Sequence, residues 1–331
     1  MALTLPAVPP HPLRTLREDA GVLLGPNWYA AAMGTGILAV VWAPLVPDVA
    51  QVVWVLAALV LVAVSAATLV HRRDYRGHAV QVHFYGAPAM GLMAVGAATL
   101  TVHPAPWAVA LDAVLWTAGT VLGVATALGV PRLVRDHPLE SVGPWWLMPV
   151  VPPTVSATTG ALLAPHLPAG GVRTAYLALC YALLVLSLVG TARVLALLVR
   201  RVRAHGWGPA ASVPTWFIVL GPLGQSVTAV HHLGVVSPAV PDLLVPLYGV
   251  PVLTASLVWL VVAAVLVVRA RPGFSLTWWS FTFPVGTVTT AAVALAPTAV
   301  GLTLVGLLTV GWLAAATGTA RGIWDGSLLR A

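Results

Sequence analysis

Residues 52–64 read VVWVLAALVLVAV, thirteen consecutive positions without a polar side chain. A strand of a membrane barrel alternates apolar and polar residues, and a helix on a soluble core keeps one polar face. Neither pattern is present here. A helix that is apolar on every side suits a lipid-facing crossing of a bilayer, which takes about 20 residues. Outward from this stretch, apolar runs bounded by proline, glycine or arginine recur near 26–43, 51–70, 84–102, 107–130, 144–164, 172–199, 213–234, 242–268, 276–296 and 299–320.

The composition agrees with repeated crossings. Of 331 residues, 59% are apolar and 8% charged, where a soluble domain carries about 25% charged residues. The mean hydropathy is +0.94. A water-soluble globular enzyme is excluded. Cys180 is the single cysteine, so no intramolecular disulfide or multi-cysteine metal site can form. The chain has no HExxH, GxSxG or GxxxxGK[ST]. The adjacent His231 and His232 diverge by about 100° on a helix, which favours a surface pair over metal ligands. We therefore expect no enzyme activity, cofactor or metal.

The formal charge of +7 comes from sixteen arginines and no lysine against nine acids. Positive residues near span ends stay on the cytoplasmic side. With a cytoplasmic amino terminus, fourteen arginines fall inside: 14, 17, 72, 73, 76, 132, 135, 200, 201, 203, 269, 271, 321 and 330. Arg173 falls outside and Arg193 within the sixth span. Both termini are expected to be cytoplasmic, and insertion explains the basic balance without a nucleic-acid partner. The expected layout is a polar tail over 1–24, a ten-helix transport domain over 25–322 and a second tail over 323–331.

The spans alternate in composition. Even ones are plain and apolar. Each odd one carries small, hydroxyl or proline residues: Met33-Gly34-Thr35-Gly36, Gly86-Ala87-Pro88, Pro149 with Pro152-Pro153-Thr154, Gly221-Pro222-Leu223-Gly224-Gln225-Ser226, and Phe283-Pro284-Val285-Gly286-Thr287. A proline within a helix deprives the carbonyl four residues earlier of its donor, which singles out Phe84, Trp145, Ile218 and Ser280. Such a break is tolerated in a membrane where protein covers it or water reaches it. The odd helices are therefore expected inside and the even helices outside. The expected fold is an all-α integral membrane protein of five helical hairpins with quasi-fivefold symmetry around a central pore.

The expected pore lining is Gly34, Thr35, Gly36, Gly86, Pro88, Pro149, Pro153, Thr154, Ser156, Gly221, Pro222, Gln225, Ser226, Pro284 and Thr287. Hydroxyl and amide donors without carboxylates suit an anion better than a metal cation. An inside-negative potential drives an anion outward with about 2.3 kcal/mol per charge per 100 mV, so passive flow is efflux. Titratable groups are scarce along these spans, with His83 a possible proton site. Asp112 and Arg193 lie within even spans and receive no transport role.

The segments PNWYAAAMGTGI (26–37) and FSLTWWSFTFPVGT (274–287) resemble the signatures of the tellurite-resistance/dicarboxylate transporter family. HFYGAPAM (83–90), WWLMPVVPPTVSATTGAL (145–162) and VLGPLGQS (219–226) extend the likeness over nearly all ten spans. That family includes fungal malic-acid permeases and sulfite efflux pumps, the bacterial TehA protein and plant slow anion channels. The resemblance implies ten helices in five hairpins, a homotrimer with one pore per subunit, and a phenylalanine gate on the ninth helix, carried by Phe283 with Phe281 as the alternative. It also implies residence in a bacterial plasma membrane, with lipid and a small inorganic or dicarboxylate anion as partners. Sulfite, chloride, nitrate and C4-dicarboxylates remain open as substrates. A proton-coupled malate permease and a non-transporting membrane sensor or scaffold are the alternative functions.

Overall fold

A computed structural model describes residues 25–328 apart from 72, 238–240 and 242. The expected tail over 1–24 lies outside the described residues. The helices are α1 (Tyr29–Trp42), α2 (Pro47–His71), α3 (Gly86–Val102), α4 (Pro106–Leu133), α5 (Pro152–Leu163), α6 (Gly171–His205), α7 (Leu220–Val236), α8 (Leu244–Ala270), α9 (Trp279–Leu295) and α10 (Thr298–Trp324). No strand occurs among the described residues. The expected ten-helix, all-α architecture is present. The last helix runs a few residues past the expected domain end at 322, and Ser327 and Leu328 fold back beside it, the Leu328 N–H donating to the Gly322 carbonyl at 2.9 Å.

Seven segments have the length and hydropathy of a membrane crossing: Pro47–His71, Gln81–Val102, Pro106–Leu133, Gly171–His205, Ala210–Val236, Leu244–Ala270 and Thr298–Trp324. The other three are shorter as α-helices. The twelve residues of α5 span only about 18 Å, less than the ~30 Å apolar core of a bilayer. Short 3-10 turns lengthen these elements at Pro26–Trp28, Pro144–Leu147 and Leu276–Trp278.

The odd helices close on themselves. α1 packs on α3, α3 on α5, α5 on α7, α7 on α9, and α9 returns to α1. Each even helix sits outside the gap between two inner neighbours: α2 over α1 and α3, α4 over α3 and α5, α6 over α5 and α7, α8 over α7 and α9, α10 over α9 and α1. Burial follows that division, with 72% and 89% of the crossings containing α3 and α7 inside the protein, against 17–33% for the five outer helices. Val62, Val121, Val185, Val261 and Val310, one on each outer helix, are exposed, as a lipid-facing surface requires.

Small residues set the distance between inner helices. A Cβ on Gly34 would lie 2.0 Å from Thr282 Oγ1, one on Gly36 3.0 Å from the Ala94 backbone, one on Gly86 2.1 Å from the Met148 carbonyl oxygen, and one on Gly224 2.6 Å from the Thr287 backbone. The remaining seam, between α5 and α7, is bridged by Thr158, whose hydroxyl donates to the Gln225 carbonyl at 3.3 Å. Close approach through glycine is the usual means of packing helices where lipid removes the hydrophobic driving force.

The prolines do not break the inner helices as the sequence reading expects. Pro88 and Pro222 are the third residues of α3 and α7, and Pro152 and Pro153 open α5, where a missing N–H leaves no intrahelical bond unmade. A 3-10 segment precedes each α-helix, and its tighter winding supplies nearer donors. The Trp145 carbonyl accepts the Met148 N–H at 3.0 Å. The Phe84 and Ile218 carbonyls accept those of Gly86 and Leu220. Pro284 alone of this set lies inside its helix.

Polar bonds stitch every outer helix to the ring. Trp54 Nε1 donates to Thr99 Oγ1 at 2.9 Å, Trp116 Nε1 to the Ser156 carbonyl at 2.8 Å, and Ser187 Oγ to the Val150 carbonyl at 2.7 Å. Trp259 Nε1 donates to the Trp216 carbonyl at 3.0 Å, and Trp312 Nε1 to Thr35 Oγ1 at 3.0 Å. The stitches from α2, α4 and α10 reach the next hairpin, not their own, and so lock the circular order.

Candidate functional site

Two cavities lie on the axis of the ring. The wider is a vestibule of about 410 Å³ at the end where the odd helices begin. Asn27, Gln81, Trp145, Thr215 and Ser280 come to it from the leading turns of all five inner helices, and Ser327 and Leu328 from the chain's last described residues. None of the described residues lining it is acidic or basic.

Beyond the vestibule lies a void of about 30 Å³, lined from all five inner elements by Met33, Phe84, Met148, Ile218 and Phe283, among others. Ala30, Phe84 and Ser280 line both spaces and form the collar between them. A single water needs roughly 10–15 Å³ of such space and two or more polar partners. Among the described residues lining the void, Ser280 has the one hydroxyl and the Trp279 indole N–H is taken up by Thr319, so the space is large enough for water and too apolar to hold it well. The axis narrows here to this small, mostly apolar space.

Phe283 and Phe281 point different ways, as their spacing demands. Phe283 is 4% exposed and faces the void. Phe281 packs edge-on against Phe217 with centroids 5.0 Å apart, and its ring lies over Gly311 of α10. Gly221 and Pro284 join Phe283 on the void. At Gly221 a Cβ would meet nothing nearer than Pro284 Cγ at 3.9 Å, so this glycine leaves space open.

Most of the expected hydroxyls are engaged between helices. Thr35 Oγ1 donates to the Ala31 carbonyl at 2.7 Å and accepts from Trp312. Ser156 Oγ accepts from Thr120 at 3.0 Å, and Ser226 Oγ from the Tyr248 hydroxyl at 2.8 Å. Thr287 Oγ1 donates to the Pro284 carbonyl at 2.7 Å, while Thr154 is buried with its carbonyl accepting from Thr158 at 3.0 Å. Gly34, Gly36 and Gly86 lie at helix seams, Pro88, Pro153 and Pro222 in first turns, and Gln225 at the α5–α7 seam. Pro149 and His83 face a groove outside the ring, where the His83 ring stacks on Trp146 at 4.9 Å. The residues that do line the vestibule include Asn27, Gln81, Thr215 and Ser280, which sequence reasoning passed over. Their signal was position: polar residues just before the small-residue segments of the odd spans.

A closed ring of inner helices about an uncharged axial passage is an arrangement for moving something across a membrane, and the comparisons with known proteins agree. The model of the voltage-dependent anion channel family matches residues 24–320. The chain belongs to this family. It is 27% identical over 299 residues to the sulfite efflux pump of Trichophyton rubrum, covering 80% of each chain. A similar pump of Arthroderma benhamiae is 26% identical over 299 residues, again 80% of each. An uncharacterised transporter of Methanocaldococcus jannaschii is 27% identical over 302 residues, 81% of this chain and 82% of that one. The protein is thus a multi-pass membrane protein of a family of anion channels and transporters, not of enzymes.

Proposed function

We propose that the protein passes a small anion along the axis of the inner ring, with the Phe283 ring as its gate. One observation carries this reading: Phe283 lines the 30 Å³ void at which the uncharged vestibule ends. An apolar ring at such a constriction stops ions by bulk and by dewetting. Phe84, across the collar, narrows the same point. Phe281 has no such role, because its ring is held against Phe217 and Gly311.

Asn27, Gln81, Thr215 and Ser280 offer hydrogen bonds to an anion before it meets the gate, and no fixed charge traps it there. The arginine asymmetry supports a cytoplasmic vestibule, with flow outward under an inside-negative potential. Sulfite is the first substrate to test, since two relatives bear the name of sulfite efflux pumps. A homotrimer in a plasma membrane, with quasi-fivefold symmetry in each subunit, completes the reading. Proton coupling finds no support along the axis, because no described residue lining either cavity is titratable in the physiological range.

The test is a panel of anion fluxes from proteoliposomes, wild type against Phe283→Ala. Sulfite, chloride or nitrate efflux that rises in the variant supports the gate and the pathway. Malate accumulation driven by an imposed pH gradient in the wild type would replace this reading with a coupled permease.

A further inference from the structure

We propose that the groove between α4 and α6 is a binding site for the phosphate headgroup of an anionic phospholipid. α4 and α6 flank α5 without packing on each other, and a cavity of about 470 Å³ lies between them. Its floor is the inner segment carrying Trp146, Pro149 and Val150. Three arginines line it: Arg132 and Arg135 at the end of α4, and Arg193 on the facing side of α6.

Among the described residues, no acidic side chain lines the groove and none of the three guanidinium groups forms an ion pair. Arg132 donates to the Leu128 carbonyl of its own helix, which leaves most of its donors free. On the floor, His83 is 1% exposed, and beyond weak contacts with the Val80 and Ala79 backbone its ring nitrogens make no hydrogen bond of normal geometry. Cations left without counter-charge beside a buried, weakly bonded imidazole make a site for an anionic, hydrogen-bonding ligand. Bidentate guanidinium donors suit phosphate geometry.

The walls decide the source of that phosphate. Leu128, Leu186, Val189 and Leu197 run along the groove, and Leu128 and Val189 are exposed on the lipid-facing surface. A basic pocket between two membrane helices, continuous with an apolar channel, matches a headgroup with its acyl chain. Free phosphate would find no use for those walls. The floor residues also adjoin the axial collar in sequence. His83 and Trp146 face the groove, while their chain neighbours Phe84 and Trp145 face the axial cavities. A bound headgroup therefore presses on the back of the wall that lines the passage.

The site can be tested by binding, independently of any transport reading. Native mass spectrometry of the full-length protein in detergent would compare phosphatidylglycerol with phosphatidylcholine of the same acyl chains. Wild type should retain one phosphatidylglycerol in preference to phosphatidylcholine. The R132A/R135A/R193A variant should weaken that binding on the order of 100-fold, taking the contribution of each arginine near a lipid surface. Arg269→Ala with Arg271→Ala, at the same end of the bundle but outside the groove, should leave it unchanged. Val189→Trp, at an exposed position, fills the groove without altering charge and should weaken binding too, which keeps the test decisive if the triple variant does not fold. Equal retention of both lipids, or wild-type binding by the triple variant or by Val189→Trp, would overturn the proposal. So would displacement of the lipid by millimolar inorganic phosphate, which marks a free-anion site, or loss of subunits in the triple variant, which marks an interface with a second copy.

Discussion

The ring of Phe281 meets that of Phe217 edge-on at 5.0 Å, and this contact fixes which side of α9 looks at the axis. Two residues on, about 200° around the helix, Phe283 is turned into the void. The two phenylalanines should therefore fail differently. Phe283→Ala is expected to raise anion current in oocytes or flux from liposomes, with folding largely kept. Phe281→Ala, at a half-buried position, is expected to leave flux per folded molecule unchanged and to lower stability by about 1–3 kcal/mol, read as a fall in melting temperature.

Gly221 offers a test in the opposite sense. Alanine there replaces a helical glycine where a Cβ has room, so stability should rise by about 0.5–1 kcal/mol. The added methyl group enters the void beside Phe283. In a Phe283→Ala background, Gly221→Ala should therefore reduce flux while raising the melting temperature; a higher flux would place Gly221 off the conducting line.

At the α1–α9 seam the room is absent. Gly34→Ala puts a Cβ 2.0 Å from Thr282 Oγ1 and should cost about 1–3 kcal/mol, the usual range for an overfilled contact. Thr282→Ala should restore only part of this, since the Thr282 Cβ remains 2.7 Å away. A double-mutant cycle on thermal stability measures the coupling.

How far these features can be read from the chain itself depends on the scale asked about. The ten helices were marked by apolar runs, as at 52–64, although only seven segments have the full length of a crossing, and the inner and outer sets follow from alternating composition. Phe283 was accessible through its motif. The facing of Thr35, Ser156 and Ser226 was not, because a hydroxyl on a buried helix can turn to the axis or to a neighbour, and the partners Trp312, Thr120 and Tyr248 lie far along the sequence. The 3-10 turns escaped notice for a similar reason. A proline marks where an N–H is missing, not whether the winding upstream has already made it unnecessary.

In the vestibule, Gln81 is the residue whose charge can be changed with least change of shape. Gln81→Glu introduces a fixed negative charge into a lining that has none among the described residues. Measured in the Phe283→Ala background, anion flux should fall about tenfold, the effect of roughly 1.4 kcal/mol of added barrier, and should recover in part at high salt through screening. Unchanged flux at low salt would mean that anions bypass the vestibule.

Asp112 is fully buried on α4, with neither carboxylate oxygen hydrogen-bonded and Oδ1 against Gly96. A charge in such a place is costly and an amide less so. Asp112→Asn is expected to keep or raise the melting temperature and to leave anion flux unchanged. A loss of flux with normal folding would bring this outer-helix residue into the transport cycle.

The five seams between inner helices bear on how such a bore could ever widen. Four are set by glycine against a neighbour's backbone or hydroxyl, and the fifth by the bond from Thr158 to the Gln225 carbonyl. An iris works because its blades slide freely. Here each blade is wedged against two others, and parting one seam strains the rest around the hoop. Opening by dilation would demand that all five give way together, whereas one aromatic ring swinging on its own side-chain torsions disturbs none of them. If Phe283 is the gate, as proposed, the calibre is built into the backbone and the valve is left to a side chain.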